Sequence, residues 1–110
     1  MGNEIRISQD IYCKIKIIAE HYSKKKQWLK TLEELDELTD ELDGAGNPFG
    51  LEDIVNLPGN TWSECADVFI MIMQLTIQHN KENEFWQQVE YKLNRQLERM
   101  ESEKWTEKKT

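Results

Sequence analysis

Apolar residues recur at helical spacing along most of the chain, in four segments. Ile11, Ile15, Ile18 and Tyr22 form the first stripe, behind Ser8 as a good N-cap and Asp10 in the first turn. Trp28, Leu32, Leu35, Leu38 and Leu42 form the second, which predicts a helix from about Gln27 to Leu42. Between them "SKKKQ", residues 23–27, interrupts the apolar pattern and predicts a kink or short turn. A third helix is expected from "NTWSECADVFIMIMQLTIQH", where Thr61 and Glu64 have the spacing of a capping box. Phe85, Val89, Leu93, Leu97 and Met100 mark a fourth, over about residues 82–105. "DGAGNPFG", residues 43–50, is the strongest breaker. "LEDIVNL" after it has the makings of one or two helical turns before "PGN" stops it. Residues 43–60 therefore read as an ordered but mobile connection. No segment carries a strand pattern. The expectation is an all-α protein, an antiparallel bundle of four to five helices. It forms one domain over residues 1–110, with a core of about 8–104.

Composition narrows the function classes. The chain has 110 residues, 14 Lys plus Arg and 21 Asp plus Glu, for a net charge of -7. That balance disfavours a nucleic-acid backbone or an anionic membrane and tolerates cationic partners, divalent metals among them. The longest apolar stretch, "CADVFIMIMQLTI", is too short to span a bilayer, and "MGNEIRISQD" lacks the apolar run of a signal peptide. Cys13 and Cys65 lie in apolar helical patterns without metal-ligand spacing. They read as buried thiols in a reducing cytosol, which makes the chain cytoplasmic. A domain this small leaves much apolar surface uncovered, so a homo-oligomer is expected.

The acids carry the candidate chemistry. "TLEELDELTDEL", residues 31–42, holds six acids and four leucines. At about 100° per residue, Glu33, Glu34, Glu37 and Glu41 fall within about 100° of one another, beside the leucine face. The leucines read as the face that packs the bundle, and Asp36, Asp40 and Glu41 as solvated charge. No Lys or Arg is expected on the glutamate face to relieve Glu33 and Glu37, although like charges at i,i+4 repel. From Cys65 to Leu75, nine of eleven residues are apolar, so Asp67 sits on a helix with little wet surface. A buried carboxylate is costly unless it is paired or binds a metal. For Glu64, one turn earlier, the capping box is an equally good account. Two helices presenting carboxylates at i,i+3 can face each other and offer a hard divalent ion four oxygens, a preference that Mg²⁺ shares. Di-iron bundles use Glu-x-x-His pairs, and neither His21 nor His79 follows a Glu by three residues. Both histidines read as surface or helix-end residues.

Here the chain resembles a family. "EELDE" at 33–37 is similar to the EExxE motif of the MazG-like all-α nucleoside triphosphate pyrophosphohydrolases, and "ECAD" at 64–67 to their ExxD. Twenty-six residues separate the two motifs, and the likeness runs over about residues 11–100, including "YKLNRQLERM". The resemblance implies hydrolysis of an NTP or dNTP to the monophosphate and pyrophosphate, with Mg²⁺ as cofactor and Mn²⁺ as a possible substitute. It implies Glu34, Glu37, Glu64 and Asp67 as metal ligands, and Glu33 in support of the attacking water. It places Lys92, Asn94 and Arg95 against phosphate and sugar, with Lys92 among the catalytic groups. It also implies a dimer or tetramer with sites built from both subunits. Trp28 and Trp62 flank the acidic motifs and can stack a nucleobase, although Trp28 also suits the core. The 43–60 connection either closes over substrate or merely joins helices. Without the resemblance, Lys92 and Arg95 read as an ordinary solvated helix face. The competing reading is a non-catalytic helical interaction protein whose acidic face meets a basic partner.

Overall fold

The computed structural model describes residues 7–47, 49–51 and 55–109, with side chains as far as Lys104. Those residues contain four α-helices and no strand: α1 (Gln9–His21), α2 (Lys24–Asp43), α3 (Thr61–Gln78) and α4 (Glu82–Lys109). None of the described helices is long and apolar enough to cross a membrane. The chain divides into two compact units, one through His79 and one from Asn80 onward.

In the first unit, α1 and α2 both pack on α3. α1 starts where expected: Ser8 Oγ accepts the Ile11 amide at 3.2 Å, and Asp10 lies in the first turn. α2 starts three residues before the expected Gln27. Tyr22 and Ser23 are extended, and Ser23 Oγ accepts the Lys26 amide at 3.1 Å. The break is therefore two residues long, and "KKKQ" is the first turn of a helix rather than a linker. The cap satisfies an amide that would otherwise be left open at the helix start. Across the break, Gln78 of α3 donates through Nε2 to the carbonyls of Ala19 and Tyr22, both at 2.9 Å. One side chain thus supplies donors to two carbonyls at the end of α1.

α2 runs antiparallel to α3. Gln27 meets Met71, its Nε2 3.3 Å from the Met71 sulfur, and Glu34 meets Asp67 and Glu64 further along. The face that α2 turns inward is polar. Gln27, Thr31 and Glu34 are buried, and Thr31 Oγ1 donates to the Gln27 carbonyl at 2.7 Å. The leucine stripe faces outward: Trp28, Leu32, Leu35 and Leu42 are each more than 40% exposed. The expectation that the leucines pack this bundle is thereby corrected for the single chain. The inward positions 27, 31, 34, 38 and 41 have helical spacing too, but polar residues at most of them hide it. Glu41, expected in solvent, is half-buried on this face, while Asp36 and Asp40 are exposed.

α3 is the central helix, with Val68, Met73, Gln74, Thr76 and Ile77 buried. The first stripe shifts too: Ile15 and Ala19 are buried on α1, whereas Ile11, Ile18 and Tyr22 are largely exposed. Cys13 is exposed, against expectation, and Cys65 half-buried. Both histidines end helices, as read. The described residues of the connection to α3 contain no helix. Ala45 is buried within it and accepts the Asn56 amide at 2.7 Å. The helical turns expected in "LEDIVNL" fall partly on residues 52–54, which lie outside the described residues.

α4, described by itself, extends to Lys109. On it Phe85 and Val89 are half-buried and Leu93, Leu97 and Met100 are exposed.

The Ser23 cap is the local device that starts α2 after the break. Ser23→Ala should lower unfolding stability by about 1 kcal/mol, read from the midpoint of urea unfolding with an unchanged slope.

Candidate metal centre

α2 and α3 bring the predicted carboxylates together. One ligand oxygen each from Glu34, Glu64 and Asp67 lies within 4.8 Å of the other two, and the same holds for Glu33, Glu34 and Glu37. Glu34 belongs to both groups and joins them. Ligand oxygens on opposite sides of a Mg²⁺ ion stand about 4.2 Å apart, twice the metal–oxygen distance of about 2.1 Å. Small side-chain adjustments would bring either group to that span.

Burial makes the cluster more than a charged surface. Glu34 is 6% exposed, and its Oε2 is fully buried without a hydrogen-bond partner. Glu64 Oε2 is in the same condition. The other members of the cluster are carboxylates, which accept hydrogen bonds when ionised and donate one only when protonated. Burying an ionised oxygen without a partner is costly, and Lys30 meets only the other oxygen of Glu34.

The capping box does not account for Glu64. Asn60, not Thr61, is the N-cap of α3, and no side-chain capping bond forms there. Thr61 is the first helical residue, 1% exposed, with its hydroxyl buried and unpartnered. Asn60 is in the αR region, so the helical path begins one residue earlier than the motif requires. Glu64 still lies in the first turn of α3, where the helix N-terminus favours a negative charge.

The glutamate face is not without a cation. Lys30 Nζ is 3.3 Å from Glu33 Oε1 and 3.2 Å from Glu34 Oε1. With Glu33 at 0° and about 100° per residue, Lys30 stands at about 60°, inside the arc of the four glutamates. The i,i+3 and i,i+4 spacings were the available signal. Hydrogen bonds to Glu34 and then Glu33 hold the Lys30 ammonium above its ordinary range. Lys30 and Glu33 also line a groove of about 410 Å³ with Ile18 and Tyr22 of α1 and Met71 and Gln74 of α3. That volume falls in the range of small-molecule sites. Neither Trp28 nor Trp62 lines it, and both are exposed, at 53% and 65%. On α4, Lys92 and Asn94 are exposed, while Arg95 is half-buried with its guanidinium 5.6 Å from the centre of the Tyr91 ring.

Comparison with family models, with curated proteins and with solved structures found no match.

The Glu37 carboxyl is held above its ordinary range, chiefly by the charge of Glu34, then by a hydrogen bond to it, by lost solvation and by Glu64. A carboxyl raised on folding binds its proton more tightly in the folded state. Ionising it therefore lowers stability as pH rises from the ordinary value of 4.5 through the raised one. Glu37→Gln removes that loss. In chelator, the variant should melt no higher than wild type below pH 4.5 and progressively higher as pH rises. Melting curves that shift in parallel with pH would show that Glu37 carries no such penalty.

Proposed function

We propose that this chain is a MazG-like, Mg²⁺-dependent nucleoside triphosphate pyrophosphohydrolase that cleaves an NTP or dNTP to the monophosphate and pyrophosphate in the cytosol. The observation that carries the reading is the buried, unpartnered oxygen of Glu34 between the α2 and α3 carboxylates. The donor set fits the group: carboxylate oxygens from Glu34, Glu37, Glu64 and Asp67, with neither Cys nor His among them, suit a hard divalent ion. Mg²⁺ held there would neutralise the triphosphate and lower the pKa of a water.

The chain's own residues supply the rest. Glu34, Glu64 and Asp67 come from two helices packed against each other, so the ligand geometry is set before substrate arrives. Glu37 is exposed and charge-strained by Glu34, which suits a ligand that completes the shell last. Glu33 points a carboxylate toward Lys30 at the edge of the groove, where it can accept a proton from water or orient it. The groove adjoins the cluster through Lys30 and Glu33 and offers Tyr22, Met71 and the buried amides of Gln27 and Gln74 to a nucleoside. It is a better candidate for base contact than Trp28 or Trp62. Lys92, Asn94 and Arg95 remain the proposed phosphate and sugar contacts.

The exposed stripe of Trp28, Leu32, Leu35 and Leu42 fits the homo-oligomer, a dimer or tetramer, in which a second copy covers it. The alternative, an acidic face that serves a basic partner, fits less well, because the central glutamate is turned inward.

A panel of NTPs and dNTPs with Mg²⁺, assayed separately for pyrophosphate and phosphate, tests the reaction. Pyrophosphate is expected from at least one nucleotide, and phosphate alone would exclude the activity. Glu37→Gln and Asp67→Asn should each lower turnover by about a hundredfold or more while keeping the helical circular dichroism of wild type. Leu35→Lys should shift the molar mass in light scattering from oligomer to monomer; an unchanged mass would place the interface elsewhere.

A further inference from the structure

We propose that Lys30 is the internal counter-ion of the acidic cluster and that a divalent ion takes Glu34 from it on binding. The inference rests on the metal-centre reading above and assigns the cluster a cation of its own.

Lys30 holds Glu33 and Glu34 through one ammonium, because the two carboxylates lie three and four residues further along α2. The pair is asymmetric in exposure. The Lys30 side chain is 49% exposed and that of Glu34 only 8%. The lysine thus reaches from the surface to a carboxylate that water scarcely touches. A buried carboxylate needs a cation whether or not metal is present, and Lys30 supplies one.

It supplies only part of what the cluster can accept. Lys30 touches Glu34 Oε1, while Glu34 Oε2 and Glu64 Oε2 stay buried and unpartnered. Glu34 and Glu64 both belong to the three-carboxylate group with Asp67. A divalent ion held by that group shares the Glu34 carboxylate with the Lys30 ammonium, and the two cations repel each other. Lys30 must then release Glu34. It keeps Glu33, which lines the same groove, so the displaced ammonium has a partner within reach. Metal entry therefore carries the cost of breaking one ion pair, and a neutral residue at this position removes that cost.

The test is Mn²⁺ binding to the intact chain, followed by the electron paramagnetic resonance signal of the free ion. Wild type is compared with Lys30→Met, Lys30→Gln, Lys30→Arg and Lys14→Met. Lys14 pairs with Asp10 at 3.1 Å on α1, so its loss removes the same charge and the same kind of pair away from the cluster. The two neutral Lys30 variants should bind Mn²⁺ about fivefold more tightly than wild type, the worth of one partly exposed ion pair. Lys30→Arg and Lys14→Met should stay close to wild type. Equal or weaker binding by the neutral variants overturns the proposal, and so does equal tightening by Lys14→Met, which would make the effect one of net charge. If no protein, wild type included, binds Mn²⁺, the metal-centre reading itself falls. Two neutral variants keep the comparison available if one of them does not fold.

Discussion

The structure turns on one carboxylate buried between two helices. Glu34 lies on the inward face of α2 where that helix meets α3, and half of its hydrogen-bonding capacity is unused. Everything nearby can be read as a response to that charge. Gln27 and Thr31, a turn or two earlier, keep the same face polar and bond to each other instead of drawing on Glu34. Lys30 reaches in from the edge. The charge of Glu34 holds the Glu37 carboxyl above its ordinary range. A helix pair built only for stability would place leucine at this point, since replacing a buried ion by a well-packed apolar group is often stabilising. Keeping Glu34 there is the kind of local sacrifice that functional sites make.

That sacrifice explains how much of the site was legible from sequence. The four carboxylates could be grouped because EExxE and ExxD each place acids three residues apart, and an acid on an apolar helix is conspicuous. Lys30 lies just before the acidic run, and only its i,i+3 and i,i+4 spacings to Glu33 and Glu34 mark it as their partner. The orientation of α2 was not legible. Its apolar stripe is the strongest pattern on the helix, and an apolar stripe ordinarily marks the inner face. In the single chain the inner face is Gln27, Thr31 and Glu34, whose character shows only once α3 is beside it. The helix starts were partly legible. Ser8 caps as its residue type suggests, whereas the Thr61–Glu64 spacing promised a box that the backbone at Asn60 does not form. A spacing match states what a cap would need, not where the chain turns.

The two faces of α2 divide the work. One carries the glutamates and meets α3 of the same chain. The other carries Trp28, Leu32, Leu35 and Leu42 and is left to whatever covers it. Under the proposed assembly, subunit contact and metal site share one helix back to back. A change in how subunits meet would then reach the carboxylates through the rigid body of α2 rather than through a chain of side chains.

The rotation of about 100° per residue in α2 also governs which mutations the chain can absorb. One residue inserted between Gln27 and Leu38 would turn every later side chain by that angle. The carboxylates would leave α3, and the leucines would leave the outer face in the same step. No compensating substitution nearby restores both. The connection from Gly44 to Asn60 obeys no such rule, because its described residues form no helix and hold no part of the cluster. Length variation should therefore be confined to that connection, while α2 stays fixed in length and varies only by substitution.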